Sequence, residues 1–99
     1  MSKIKKLENL INYLIKNKRD KKVVLCHGVF DLLHYGHMKY FEEAKKLGDI
    51  LIVSITDDPY VNKGPNKPAF NSKIRAEVLN NIELIDFVLI NKSPDAIEL

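Results

Sequence analysis

The chain has 99 residues, with 16 basic and 13 acidic side chains that give a formal net charge of +3. This length accommodates at most one domain with a usable core, and so mild a charge does not indicate a nucleic-acid-binding protein. The apolar runs are short and no apolar signal segment is visible at the N-terminus, so we expect neither a membrane-spanning helix nor a secretory signal.

The first predicted element is an amphipathic helix within residues 1–20. Its apolar positions recur at helical spacing and are Ile4, Leu7, Leu10, Ile11, Leu14 and Ile15. Five basic residues then fall in residues 16–22, without aromatic residues between them. We interpret this basic segment as a solvated connection to the next strand and not as a surface for nucleic acid.

Three continuous apolar runs predict buried strands, at residues 23–26, 50–55 and 85–90. Runs of this kind are typical of strands covered on both faces, as in a parallel sheet. Cys26 lies in the first run, where we expect a small buried apolar residue and not a nucleophile. As the only cysteine it cannot form an internal disulfide, which favours a reducing, cytoplasmic location.

Helical patterns separate these strands. Met38, Phe41, Ala44 and Leu47 predict a second helix, ended by Gly48 in a left-handed conformation. An acidic pair followed by proline at residues 57–59 predicts a short helical turn, and the composition of residues 63–68 predicts a loop.

A third helix is predicted from Ser72, which would be its cap. Its buried side would carry Ile74, Val78, Leu79 and Ile82. A fourth helix would open at residues 93–95. Helices therefore alternate with buried strands, which predicts an α/β fold with a Rossmann-like parallel sheet flanked by helices on both faces.

Ligands in such sheets bind beyond the carboxyl ends of the strands. Gly28, Thr56 and Asn91 each follow a predicted strand, so we expect them at one edge. Gly28 allows a close approach of backbone to a ligand. Gly36 and His37 stand at the start of the second helix, where free N–H groups and the helix dipole favour an anion.

His34 and His37 are three residues apart, so both can face one pocket at that helix start. A metal site is the competing interpretation, with Asp31 as a third ligand, but no set with metal-ligand spacing is present and we predict no permanent metal. Gly-x-Ser-x-Gly, Gly-x-Gly-x-x-Gly and Walker patterns are also absent. The residues therefore favour a phosphate site.

The segment GVFDLLHYGHMKYFEEAKKLGDILIVSITDD, residues 28–58, resembles the first half of the cytidylyltransferase-like nucleotidylyltransferase family. Residues 34–37 match the His-x-Gly-His (HxGH) signature of that superfamily, preceded by Gly-x-Phe-Asp and followed by Gly-Asp, an apolar strand and Asp57. The resemblance implies one domain over residues 1–99, in which the helix within 1–20 lies outside the family and 22–99 form a catalytic core incomplete at its C-terminal end.

The resemblance implies a reaction in which an NTP, bound with Mg²⁺, and a phosphorylated small molecule combine and release pyrophosphate. The catalytic positions would be His34, His37 and Lys63. The nucleotide-binding positions would be Gly28, Val29, Phe30, Asp31, His34, Gly36 and His37, with Asp31 in a supporting or metal-linked role. Substrate-binding positions would be Lys63, Arg75, Thr56 and Asp57.

Two of these assignments have alternatives. Arg75 is expected to hold either the acceptor phosphate or the neighbouring loop. Thr56 and Asp57 suit a helix start as well as they suit ligand contact.

Residues 62–91 are most similar to the heptose-phosphate adenylyltransferase branch, which implies ATP and a sugar-phosphate acceptor. The alternatives are a cytidylyltransferase that uses CTP with glycerol 3-phosphate or an alcohol phosphate, and a nucleotide-binding module without catalysis. A tRNA synthetase shares the histidine signature but needs a far longer chain.

The family's Ser/Thr-rich motif near the C-terminus has no counterpart up to Leu99, so we expect a C-terminally truncated domain with impaired turnover. The branch is often fused to a sugar kinase, and family members commonly form homodimers. Neither a nucleic-acid nor a membrane partner is expected.

Overall fold

The computed structural model describes residues 2–17, 19–61 and 70–92. Its elements follow the predicted alternation and are α1 (Leu7–Asn17), β1 (Val23–Gly28), α2 (Tyr35–Lys46), β2 (Ile50–Thr56), a 3₁₀ turn (Asp58–Tyr60), α3 (Ser72–Asn80) and β3 (Phe87–Asn91). The predicted loop at 63–68 and the predicted helix from 93 lie outside the described residues.

The strands form a parallel sheet in the order β1-β2-β3. Gly28 pairs with Ile55, and Thr56 pairs with Asn91. This register brings the last residues of all three strands to the same edge, as predicted. Near the N-terminus, Ile4 adds a parallel bridge to Val88 of β3.

Helices cover both faces of the sheet. On one face, Leu10 and Leu14 of α1 pack with apolar strand residues such as Ile52. On the other face, Phe41 of α2 and Leu79 of α3 belong to the larger core cluster. Cys26 belongs to this second cluster and is buried, as predicted.

The predicted α/β class, a Rossmann-like parallel sheet with helices on both faces, is confirmed. None of the helices in the described part of the chain combines the length and the hydropathy of a bilayer-crossing segment.

The prediction that a left-handed Gly48 ends α2 was wrong. Leu47 is the C-cap residue in a right-handed conformation, and Gly48 does not have a left-handed φ. A Cβ at Gly48 would instead lie 2.7 Å from the carbonyl oxygen of Lys22. The glycine is therefore needed because the chain passes close to the residue that precedes β1.

Two predictions for α3 were also wrong. The N-cap is Asn71, whose side chain accepts from the Ile74 N–H at 2.9 Å, and Ser72 is the first helical residue. Ile74 and Val78 are 45% and 47% exposed. The buried face carries Arg75 and Ala76 in their place, together with Leu79, which was predicted correctly. The helix is rotated from the predicted orientation because it buries an arginine, which an apolar pattern cannot reveal.

Candidate active site at the carboxyl edge of the sheet

The two histidines of the predicted phosphate site begin α2 and cap each other. His34 is the N-cap residue, and its Nδ1 accepts a hydrogen bond from the Gly36 N–H at 3.0 Å. His37 is the third helical residue, and its Nδ1 accepts from the His34 N–H at 3.2 Å. The ring centroids are 4.2 Å apart. The pair thus forms a capping box from two imidazoles, which satisfies N–H groups that a helix start leaves free.

These contacts fix the positions of the ring protons. A backbone N–H can only donate, so Nδ1 is the unprotonated nitrogen in both His34 and His37. A neutral imidazole then carries its proton on Nε2. Each histidine therefore has an Nε2–H donor beside the N-terminus of α2, where the helix dipole favours an anion.

The neutral form of His37 is favoured by its surroundings. Burial lowers the pKa of His37 below its ordinary value of 6.5, and the positive charge that His34 carries when it is protonated lowers it further. A second proton would have to bind Nδ1, which would remove the acceptor of the His34 N–H. The capping role and the protonation state of His37 are therefore coupled.

Phe30 supports the histidine pair from the loop that follows β1. Its ring meets the ring of His37 edge-on, at a centroid distance of 5.8 Å, and lies 5.4 Å from the ring of Phe41. Phe30 has a φ of 50°, in the left-handed region. A Cβ at Gly28 would lie 3.0 Å from this ring. The strained backbone and the absence of a side chain at Gly28 together place the Phe30 ring against His37.

Arg75 connects the three chain segments around the site. Its side chain is 1% exposed, and Nη1 donates to the carbonyl oxygens of Val29, at 2.8 Å, and Thr56, at 2.9 Å. Nε donates to the carbonyl oxygen of Phe70 at 3.0 Å, and Nη2 pairs with the Asp58 carboxylate at 2.7 Å. Of the two predicted roles, the structure supports holding the loop, because the guanidinium is enclosed by protein acceptors. A contact of Arg75 with the acceptor phosphate stays a prediction, which no described contact represents.

Asp31 and Asp58 extend the same network. Asp31 accepts from the Phe70 N–H at 2.9 Å, across 39 residues of sequence. The second oxygen of Asp58 accepts from the Ser72 N–H at 3.1 Å. Both carboxylates thereby attach the start of α3 to the edge of the sheet. The hydrogen bond from the Phe70 N–H to Asp31 is consistent with the supporting role predicted for Asp31.

Asp57 caps the 3₁₀ turn. Its carboxylate accepts from the Asp58 N–H at 2.9 Å. Partial burial acts to raise the pKa of Asp57, but hydrogen bonds from Ser72 and Asp58, together with the charges of Lys92 and Arg75, hold this pKa below its ordinary value of 3.8. The helix-start role is therefore present, and ligand contact by Asp57 stays a prediction.

The structure brings most of the predicted site residues to one edge, namely Gly28, Val29, Phe30, Asp31, His34, Gly36, His37, Thr56, Asp57 and Arg75. Lys63 lies outside the described residues. In the described segments, no three His, Cys, Asp or Glu side chains are grouped as a metal ion would require.

His27 is a polar residue of this edge that the sequence did not single out. It is the residue before Gly28, it is exposed, and its Nδ1 lies 3.1 Å from Oγ of Ser54. Its Nε2 is 3.5 Å from Oγ1 of Thr56. The register that pairs His27 with Ser54 creates the contact. Side chains alternate between the two faces of a strand. The signal in the sequence was that His27 and Ser54 are polar residues at positions of neighbouring strands that face the same side of the sheet.

Comparison with known proteins agrees with this architecture. A family model described as cytidylyltransferase-like matches residues 25–97. The bifunctional protein HldE of Syntrophotalea carbinolica is 38% identical over 101 residues, which cover 99% of this chain and 21% of that protein. The bifunctional protein HldE of Campylobacter jejuni subsp. jejuni is 42% identical over 99 residues, which cover 98% of this chain and 21% of that protein. The chain thus spans about a fifth of the length of these curated relatives.

A solved structure gives the same result for the fold. The lipopolysaccharide core biosynthesis protein from Thermoplasma volcanium superposes with a TM-score of 0.67 at 32% sequence identity. The match covers 72% of this chain and 58% of that one.

Proposed function

The chain belongs to the cytidylyltransferase-like family of nucleotidyltransferases, and from this we propose that it transfers a nucleoside monophosphate from an NTP to a phosphorylated sugar or polyol. In the reaction, an oxygen of the acceptor phosphate bonds to the α-phosphorus, and the bond to the β-phosphate oxygen breaks. The products are a nucleoside-diphosphate-linked sugar or polyol and pyrophosphate.

The observation that carries this proposal is the pair of Nε2–H donors at the start of α2. His34 and His37 each accept a backbone N–H at Nδ1, so both rings keep the donor that a triphosphate requires. Transfer of this kind depends on positioning and on stabilisation of negative charge. The acceptor is already an anion, so no strong general base is needed.

Mg²⁺ would enter with the NTP. Magnesium ions in such sites are held largely by substrate phosphates, with one or two carboxylates at most. The described residues fit this arrangement, because they hold donors for phosphate and no acidic cluster. When bound, the ion would neutralise phosphate charge.

The heptose-phosphate adenylyltransferase activity, with ATP as the NTP, is the specific form that we favour. Support comes from the likeness of residues 62–91 to that branch and from the two relatives, both named bifunctional protein HldE. We further propose that the second activity of a longer protein is a sugar kinase, that a homodimer forms, and that the protein acts in the cytoplasm. CTP with glycerol 3-phosphate is the alternative substrate pair.

Pyrophosphate release tests the function. ATP and CTP are each combined with heptose 1-phosphate and with glycerol 3-phosphate, using the full protein and this chain. Release with ATP and heptose 1-phosphate alone supports the favoured form, and release with CTP and glycerol 3-phosphate supports the alternative. NTP binding without release from any pair would contradict catalysis and indicate a binding module.

Two variants separate capping from catalysis. Asparagine is a strong N-cap residue, and glutamine is suited to the third helical position of a capping box. His34→Asn and His37→Gln should therefore keep the helix start while removing the imidazole donor. We expect turnover to fall by roughly 10²–10³-fold, with melting temperatures close to that of the wild type. Wild-type turnover in both variants would refute this assignment of the site.

A further inference from the structure

The third histidine of the chain lies on the other face of the sheet from the phosphate site. Successive side chains of a strand point to opposite faces. Cys26 packs in the cluster that contains Phe41 of α2, whereas Leu25 packs in the cluster that contains Leu10 of α1. His27 therefore points to the α1 face, while His34 and His37 belong to the α2 face.

The α1 face changes character at the carboxyl edge of the sheet. Up to Leu25, Ile52 and Leu89 its strand residues are apolar and pack with α1. Beyond them come polar residues at the same parity, namely His27, Ser54, Thr56 and Asn91. If this face of the sheet only packed against α1, its strand residues would be apolar up to the carboxyl edge. Ser54 and Asn91 are buried, whereas His27 is exposed and Thr56 is half-buried, so His27 and Thr56 are the members of the row that a hydroxyl-bearing ligand can reach.

Within this row, the imidazole of His27 contacts two hydroxyl groups and can adopt either tautomer. Ser54 is fully buried, and its Oγ lies 3.1 Å from Nδ1 of His27. The contact from Nε2 to Oγ1 of Thr56 is long, at 3.5 Å. Hydroxyl groups donate or accept as required, so the ring is compatible with either tautomer. Ser54 therefore orients the ring, and a ligand hydroxyl can replace the weaker contact at Nε2.

The geometry of the transfer determines which substrate reaches this face. In a phosphoryl-type transfer, the attacking and leaving oxygens lie roughly in line on opposite sides of the phosphorus. The pyrophosphate leaving group belongs at the start of α2, beside His34 and His37. If the pyrophosphate leaves beside these histidines, an in-line acceptor approaches from the side away from α2, and His27 lies on the sheet face opposite α2.

We propose that His27, oriented by Ser54, hydrogen-bonds the hydroxyl-bearing part of the acceptor, and that it contributes to acceptor recognition and not to NTP binding. This inference depends on the proposed function, because it assigns the second substrate of the same reaction. The recognised chemistry is a polyhydroxylated phosphate ester, and the recognising group is the exposed Nε2 edge of the ring.

Histidine NMR tests the proposal without requiring turnover. The ring signals of His27, His34 and His37 in the full protein are assigned by substituting each residue in turn. Heptose 1-phosphate should shift the His27 signal, whereas inorganic pyrophosphate should shift the signals of His34 and His37. A His27 signal that responds to AMP or CMP but not to the sugar phosphate would overturn the proposal, as would a signal that responds to neither.

Kinetics on matched variants give the second readout. Ser54 is buried, and removing both partners of its contact is less disruptive than leaving its hydroxyl unpaired. The double variant His27→Leu with Ser54→Ala is therefore compared with His27→Asn. For both, kcat/KM for the acceptor should fall about tenfold, the cost of one hydrogen bond, while KM for the NTP stays unchanged. A lower melting temperature with both KM values unchanged would show a purely structural role.

The two proposals fail in distinguishable ways. Absence of pyrophosphate release by the wild type, with any substrate pair, counts against the proposed function, while the NMR titration still reports whether the acceptor contacts His27. Normal release by the wild type, with no effect of either variant on the acceptor KM, leaves the function standing and refutes the inference.

Discussion

The ring of His34 lies directly against the backbone of Gly36. A Cβ at position 36 would be 2.8 Å from Cε1 of His34 and 3.1 Å from its Nδ1. The distance of 2.8 Å is shorter than real Cβ contacts, so a side chain here would displace the ring that caps α2. The glycine of the His-x-Gly-His signature is thus explained by the histidine two residues before it.

Gly36→Ala should therefore weaken NTP binding. On helix propensity alone, alanine in place of glycine would stabilise α2 by up to about 1 kcal/mol. We expect the opposite result, namely a lower melting temperature and at least tenfold weaker binding in calorimetry, because the His34 ring loses its position. Glu43→Ala, an exposed substitution on the same helix, is the control. A more stable Gly36→Ala protein with unchanged affinity would show that the ring is not constrained in this way.

Arg75 is predicted to stabilise the site without touching substrate. Arg75→Met would leave three carbonyl oxygens without the guanidinium donor and would remove the partner of Oδ1 of Asp58, whose Oδ2 keeps the Ser72 N–H. The Asp58 carboxylate is 39% exposed, so the ion pair itself contributes little and the cost comes mainly from the carbonyl oxygens that lose their donor. We expect about 3 kcal/mol in urea unfolding. Arg75→Lys should also destabilise, because an ammonium cannot reproduce the planar fork. An Arg75→Lys protein with wild-type stability and a raised KM for the acceptor would instead indicate that Arg75 contacts substrate.

A double-mutant cycle checks the ion pair within that network. Asp58→Asn removes the charge that faces Nη2 of Arg75. If the two side chains act together, the free energies of unfolding of Arg75→Met and Asp58→Asn will not add. Additive values would show that the carbonyl contacts of Arg75, and not its pairing with Asp58, determine its effect.

The strand ends and the histidine pair were predictable from sequence because local patterns determine them. Apolar runs gave the strands, and the spacing of His34 and His37 placed both at a helix start. Arg75 was not predictable in the same way, since its contact with Val29 joins residues that are 46 positions apart. The contact of His27 with Ser54 likewise depends on strand register, which no single run of residues encodes.

The stability of the fold should depend on pH through His37. Burial and the His34 ring lower the pKa of His37 in the folded state, while the unfolded chain titrates near 6.5. The unfolded state therefore binds the proton first as pH falls. Stability from this group is complete above about pH 6.5 and is lost progressively at lower pH.

Thermal unfolding between pH 8 and pH 5 measures this effect. The melting temperature of the wild type should fall across that range by more than that of His37→Gln, which keeps a capping side chain and does not titrate. The range stays above the ordinary pKa of Asp57, 3.8, so carboxylates contribute little. Parallel curves for the two proteins would contradict a coupling between the cap and the protonation of His37.

Asp31 provides a test between structural support and metal binding. Its carboxylate accepts from the Phe70 N–H at 2.9 Å, and an asparagine side-chain oxygen can accept the same bond. If support is the role, Asp31→Asn should keep turnover within a few-fold of the wild type at every Mg²⁺ concentration, whereas Asp31→Ala should lose stability. An amide is a much poorer magnesium ligand than a carboxylate. A marked rise in the Mg²⁺ concentration that Asp31→Asn needs for half-maximal turnover would therefore assign Asp31 to the metal.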